Sequence, residues 1–231
     1  MISTRVASVL FVVSLLAVAA CGGTQTVDTG SDLATATGAV LTGADVVGYT
    51  GSPHSDSGDP PAAVKKEFAT CMKAATTIFD DTPGAHKANS LDFHRGAADD
   101  VSNSIEIDPA RSDIDRGWKV LSQAGSEPCL ALLFESAAKA SIPPNSNGSV
   151  GAATVTRFDV GVGDRSIGYS VKLPITAAGR HAVAYLDFIF VARDRAGIEL
   201  DFSNVNAPPL ARATQISLAR TVYDRVGTKA S

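Results

Sequence analysis

The sequence predicts an α+β fold: a single antiparallel β-sheet packed by helices, forming one domain after an N-terminal leader and tether. Three observations carry this. Four strand-like segments between Ala153 and Phe202 are separated only by short turns, and strands joined by short turns pair antiparallel. Before them, three stretches repeat apolar residues at helical spacing, and a fourth closes the chain. Strands and helices that are segregated rather than strictly alternating give an α+β architecture.

The chain opens with Arg5 and an apolar run from Val6 to Ala20, which ends in Val18-Ala19-Ala20 directly before Cys21. Spanning a bilayer takes about 20 apolar residues, and this run is shorter. A charged start, a short apolar stretch and a small-residue exit are the marks of a secretory signal. Val18-Ala19-Ala20-Cys21 resembles the lipobox of bacterial lipoproteins. The resemblance implies a signal peptide over residues 1–20, cleavage before Cys21, and a diacylglyceryl group on its thiol. An ordinary cleaved signal and an uncleaved anchor are the alternatives. Residues 22–37 are Gly, Thr, Ser and Asp with few large apolar groups. Residues 21–38 are therefore expected to be the lipidated cysteine and a flexible tether, with an r.m.s. reach of about 20–25 Å. Several acyl chains give stable attachment where one gives marginal binding. The expected location is the extracytoplasmic face of the cell membrane, with the folded domain at residues 39–231.

Composition narrows the function classes. The chain is 45% hydrophobic and 19% charged, which is globular rather than disordered, and its formal charge of −4 with no basic stripe argues against nucleic acid. With Cys21 lipidated, Cys71 and Cys129 remain of the three cysteines. An exported setting favours their pairing, which would stabilise the fold by about 4 kcal/mol on the chain-entropy estimate; two buried free thiols are the alternative.

Ala39–Thr50 reads as the first ordered stretch, followed by a Gly- and Ser-rich loop. Asp59-Pro60-Pro61 then has the chemistry of a helix start. Val64, Phe68, Cys71, Met72, Ala75 and Phe79 follow at helical spacing, and Asp80 to Gly84 ends the pattern. "NSLDFHRG" and "DVSNSIEID" are extended candidates. Asp108-Pro109 repeats the helix-start chemistry, and Ala110, Ile114, Trp118 and Leu121 trace a second helix. "CLALLFESAAKA" is a third, with Cys129 in its first turn, so a Cys71–Cys129 bond would clamp the first helix to the third. "ATVTRFDVG" and "RSIGYSVKLP" flank a Gly-Asp turn at Val162-Gly163-Asp164. "AVAYLDFIFVARD" is nearly continuous in apolar residues and reads as a central strand buried on both faces. "RAGIELDF" alternates through Ile198, Leu200 and Phe202. A last helix spans Leu210 to Val226.

Several of these pieces form a pattern. The leader and tether precede "GADVVGYT", two distant cysteines, "VGDRS", a strand ending in "VARDRAG" and an Ala- and Arg-rich closing helix. This resembles the actinobacterial envelope lipoproteins related to the PknH-like extracellular sensor domain of Ser/Thr kinases. Gly43-Ala44-Asp45 with Gly48-Tyr49 matches an "ADLPxGY"-like start. Val162-Gly163-Asp164 with Ser166 matches a "VGDES"-like turn, with Arg165 where an acid is common. Val191 and Arg193 match loosely a strand followed by "VRxG". The resemblance implies an exported α+β domain that binds something, and it implies no reaction.

The search for chemistry is mostly negative. The sequence has no nucleophile elbow, zincin motif, C-x-x-C pair or P-loop. His54, His86, His94 and His181 are not spaced as local metal ligands, so no metal site and no cofactor are expected. His54 and His181 read as solvated. Asp80-Asp81 and Asp99-Asp100 read as cap and turn residues, since neighbours on an extended chain point to opposite faces. Trp118 reads as core. Phe134, Phe158, Tyr169, Phe188, Phe190 and Phe202 would fill a core or line a cleft between helices and sheet. The expected function is a non-catalytic binding or sensing module at the envelope, with ligand-binding residues not assignable from sequence. Its partners are the membrane through Cys21, an envelope lipid or small molecule, or another protein. A carrier of lipid or other apolar molecules is the alternative, and a hydrolase with a dispersed triad around His94 or His181 comes after it.

The anchor is checked by Cys21→Ala. The substitution is expected to move the protein from the membrane fraction to the soluble one, and unchanged membrane retention would refute lipidation at Cys21.

Overall fold

The computed structural model describes residues 29–55, 60–96, 98–143, 147–177 and 179–229. The expected signal peptide, Cys21 and the first part of the expected tether lie outside these residues. Among them, nine strands form one antiparallel sheet: β1 (Thr50–Ser52), β2 (His86–Asn89), β3 (Asp92–Arg95), β4 (Asp99–Ile107), β5 (Ser149–Val150), β6 (Thr154–Phe158), β7 (Arg165–Ala177), β8 (Arg180–Arg193) and β9 (Ala196–Val205). Their order is β1-β3-β4-β9-β8-β7-β5. β2 pairs the far half of β4, and β6 shares β7 with β5. The α+β prediction therefore holds.

Five helices cover the sheet: α1 (Thr29–Ala39), α2 (Ala62–Met72), α3 (Arg111–Leu121), α4 (Glu127–Ser141) and α5 (Arg212–Lys229). One apolar cluster lies on each face. On one face Ala36 and Ala39 of α1 and Leu218, Ala219, Val222 and Val226 of α5 meet Ile105, Ile189, Leu200 and Phe202. On the other, Val64, Phe68 and Met72 of α2 and Leu130, Leu133 and Phe134 of α4 meet Ile167, Tyr169, Val171 and Phe188. β8 feeds both clusters through alternate residues, which is why its sequence is nearly continuous in apolar residues.

The disulfide joins Cys71 to Cys129, with the Cα atoms 5.6 Å apart, and so ties α2 to α4 as the sequence suggests. Beside it the Tyr169 hydroxyl donates to the Leu121 carbonyl at 2.5 Å and lies 2.9 Å from Ser126 Oγ. This satisfies a phenol that is 1% exposed.

Some expectations need correction. The tether does not run to residue 38, because α1 begins at Thr29. This helix buries small residues rather than large ones, and its Asp32 forms a forked pair with Arg195 at 2.9 to 3.1 Å. A composition reading that looks for large apolar groups misses it. The first expected helix stops at Met72 rather than Phe79, because Lys73 takes a left-handed conformation, φ 53°. Its N–H and that of Ala74 close on Thr70 and Ala69, and a short 3-10 turn, Thr76–Phe79, carries Ile78 and Phe79 into the core. Thr76 and Thr77 are weak α-helix formers. The N-cap of α2 is Pro61 and that of α3 is Ala110, neither with a side-chain cap; Asp59 lies outside the described residues. β1 and β5, three and two residues long, are too short to read from periodicity.

The motif residues of the family resemblance hold loops in place. Asp45 accepts from the Thr42 backbone at 2.8 Å and from Arg225 at 2.6 Å, and the arginine holds its carboxyl below the usual range. The Tyr49 hydroxyl donates to Asp99 at 2.8 Å under the Arg95 guanidinium. Val162 N–H donates to Ser166 Oγ at 3.1 Å.

Gly168 of β7 stands opposite Phe158 of β6, and the ring lies where a Cβ would go. The Arg212 guanidinium stacks on that ring 3.2 Å from its centroid, and Arg212 also bonds Gln215 and Ser170. The ring therefore has little room to retreat. Gly168→Ala is expected to destabilise the fold by about 1–3 kcal/mol, as overpacking does, seen as a fall of several degrees in the thermal midpoint. An unchanged midpoint would show that the ring is not held.

Candidate functional site

Alternation along β4 and β9 builds an unusual surface. Val101, Ile105, Ile198, Leu200 and Phe202 point to the α1/α5 face. The residues between them point the other way, and the register sets Ser102 opposite Asp201, Ser104 opposite Glu199 and Glu106 opposite Gly197. Lys87 of β2 stands opposite Glu106. One face of the same two strands is thus apolar, and the other carries a row of hydroxyls and carboxylates.

Helix α3 lies over the start of β9. Gly197 permits this approach, since a Cβ there would meet Ile114 Cδ1 at 3.2 Å. A cleft of about 90 Å³ remains between helix and sheet, with Lys87, Glu106, Asp108, Trp118, Phe190 and Glu199 among its walls. Asp81 and Asp113 add carboxyl groups to its lining, and Asp113 is paired with Arg116.

The carboxyl groups here are set by burial. Asp108 is 3% exposed and its Oδ1 has no hydrogen-bond partner. Desolvation, and then the neighbouring Glu106, push it up to about 7. Desolvation also raises Glu106. Glu199 is pushed well above the usual range by desolvation and then by Asp201, and its Oε1 is sealed from solvent without a partner. Asp201, deeper along the same row, is pushed up to about 8, first by desolvation, with the Asp92 charge adding to the rise and Lys87 opposing it. A buried acceptor left unpaired costs about 1–3 kcal/mol. Several such acceptors converge on this cleft and on the row behind it.

The structure redistributes the residues singled out in the sequence. Trp118 is half-buried, packed against the core on one side and walling the cleft on the other. Phe190 does the same, while Phe134 and Phe188 stack at 5.2 Å inside the core. Asp99 and Asp100 are not turn residues but lie in β4, one bonded to Tyr49 and Arg95, the other to His94 at 2.5 Å. His54 is not solvated: its Nδ1 lies 2.7 Å from Asp92 Oδ1 and its side chain is 17% exposed. His94 lies between Asp100 and Ser52, whose Oγ is 2.9 Å from Nε2. His181 lies on the exposed β7–β8 hairpin, 2.9 Å from Thr176 Oγ1. Among the described residues no group of three or more His, Cys, Asp or Glu is placed to hold a metal ion, and no helix is long and apolar enough to cross a membrane.

Glu106, Glu199 and Asp201 were not singled out in the sequence, and Asp108 was read only as the start of a helix. The signal was present in "SIEID" and "IELDF", where acids alternate with apolar residues. Such a pattern ordinarily means a solvated face, and only the placement of α3 over it makes the face an interior.

No family model matches the chain, and no curated protein matches it. Among solved structures it is similar to the extracellular domain of PknH from Mycobacterium tuberculosis, with 11% identity and a TM-score of 0.33, over 60% of this chain and 62% of that one. The chain thus spans less than two thirds of that domain.

The raised carboxyls make stability depend on pH. In the unfolded chain Asp titrates near 4, whereas folded Asp201 titrates at about 8. Between these values the folded state keeps a proton that the unfolded state has lost. This contribution is fully present below pH about 4 and is lost as pH rises through about 8. The thermal midpoint is expected to be higher at pH 5 than at pH 8.5, with a smaller difference in Asp201→Asn. An equal pH dependence in both proteins would mean that Asp201 titrates normally.

Proposed function

We propose that the chain is a lipid-anchored envelope protein whose cleft beneath α3 is a non-catalytic binding or sensing site, and that its ligand is a small cationic amine held there. The lipobox resemblance at Val18 to Cys21 supports the anchor, and the "GADVVGYT" and "VGDRS" resemblance supports the sensing role. One observation carries the ligand class: Asp108 lines the cleft, is 3% exposed, and presents an unpartnered Oδ1. Glu199 presents a second unpartnered oxygen on the same wall.

An ammonium group offers three donors and no acceptor, which suits a site made of acceptors. Trp118 and Phe190 supply aromatic surface of the kind that attracts cations. The volume of about 90 Å³ is small beside the roughly 300–1,000 Å³ of drug-sized pockets. It suits an ammonium head, with the remainder of the ligand at the mouth. The role proposed for the cleft is capture without conversion. A carrier of apolar molecules gains no support from walls rich in carboxyl groups.

Trp118 is the only tryptophan in the chain, so intrinsic fluorescence reports on the cleft wall directly. Titration of the full chain in detergent with 1,4-diaminobutane is expected to give a saturable change, and 1,4-butanediol none. Binding should be tighter at pH 8.5 than at pH 5, since the cation needs ionised carboxylates, and should weaken at least about tenfold, or 1.4 kcal/mol, in Asp108→Asn and in Glu199→Gln. Absence of saturable binding, or binding retained by both variants, would refute the proposal.

A further inference from the structure

At the edge of the sheet, away from the cleft, Ser52, His94 and Asp100 stand in line on three neighbouring strands. Ser52 Oγ is 2.9 Å from His94 Nε2, and His94 Nδ1 is 2.5 Å from Asp100 Oδ1. The register produces this alignment. His94 of β3 lies opposite Thr50 of β1 on one side and opposite Asp100 of β4 on the other. Ser52, two residues beyond Thr50, points to the same side of the sheet. The exposure is graded along the line: Asp100 is 9% exposed, whereas Ser52 and His94 are only partly buried and open to solvent.

The chemistry follows from the order of the atoms. A carboxylate on Nδ1 keeps the proton on that nitrogen and leaves the Nε2 lone pair facing the serine hydroxyl. The other acceptor within reach of Ser52 Oγ is the Asp92 carbonyl at 3.5 Å, a much weaker contact. Asp92 is itself fixed, by His54 at 2.7 Å and by the Ser55 backbone at 2.9 Å, so the chain just beyond Ser52 is tied down. We propose that Ser52 is a nucleophile for acyl transfer from activated esters, with His94 as its general base and Asp100 as the positioning residue.

Ser52 Oγ attacks the acyl carbon, and its proton passes to Nε2. The bond to the leaving alcohol breaks, and the alkoxide takes that proton from Nε2. An acyl-Ser52 ester and the free alcohol result. Water then attacks the ester, gives a proton to Nε2, and releases the acid while Ser52 regains its hydrogen. The residue after Ser52 is Pro53, which has no N–H. The backbone donor that often stabilises the oxyanion from the position after the nucleophile is therefore missing, a loss of roughly 10²–10³ in rate for one donor. The site is thus assigned esters with good leaving groups, and slow turnover.

The test is covalent labelling of the full chain, in detergent, with a fluorophosphonate. There Ser52 Oγ displaces fluoride from phosphorus and the proton again goes to His94. One adduct is expected, mapped to Ser52. It should be absent in Ser52→Ala, slowed roughly 100-fold in His94→Gln, and slowed in Asp100→Asn, while Ser136→Ala labels as wild type. No adduct, an adduct at another residue, or Ser52 labelling that is unchanged in His94→Gln would overturn the assignment. These outcomes are independent of amine binding in the cleft.

Discussion

Along β4 and β9 each side chain must face one of two layers, and the period of two leaves no third choice. On one face the strands present Val101, Ile105, Ile198, Leu200 and Phe202 to α1 and α5. Their alternates, Ser102, Ser104, Glu106, Glu199 and Asp201, must then lie on the face that α3 partly covers. A slip of one residue would put the acids among the apolar side chains of α5, so the burial of one face fixes the register of the other. The acids are held by the apolar side chains behind them. Their desolvation is tolerable because they keep protons well above the usual carboxylate range, which avoids burying several charges at once.

The strongly periodic parts of this arrangement were legible in the sequence. Ile167, Tyr169, Val171 and Leu173 alternate because one face of β7 is core, and the Gly163 turn and the Cys71–Cys129 link sit where the sequence reading placed them. What failed to show were features that depend on distant partners. Apart from an exposed Leu33, helix α1 is made of Gly, Ser, Asp, Thr and Ala. It is ordered by the Asp32–Arg195 fork and by alanines that are fully buried against the sheet. Nothing local in residues 29–39 announces an arginine 163 positions away. Asp108 was misread for the same reason: Asp-Pro before an amphipathic stretch suggests a cap, whereas tertiary packing turns the carboxyl into the cleft and leaves Ala110 at the N-cap.

The proposed catalytic and binding features differ in how they arise. The cleft is a consequence of layering, because α3 comes close to an acidic sheet face where Ile114 meets Gly197 and leaves space beside Trp118. The Ser52–His94–Asp100 line is a consequence of strand order, since it needs β1 side by side with the β3–β4 pair from which it is distant in sequence: residue 52 from β1, 94 from β3 and 100 from β4. Sequence spacing alone cannot reveal it, because β1 is only three residues long and lies in a stretch rich in Gly and Ser.

The two features also share one electrostatic surface. Asp92, which holds His54 and the chain after Ser52, adds to the rise of Asp201, and Asp201 in turn adds to that of Glu199 in the cleft. An amine that ionises Glu199 places a negative charge beside Asp201 and so favours the protonated form of that group. A bound amine would therefore hold the proton on Asp201 more firmly without moving a strand. That response needs no hinge, which fits a sheet whose other face is packed without interruption against α1 and α5.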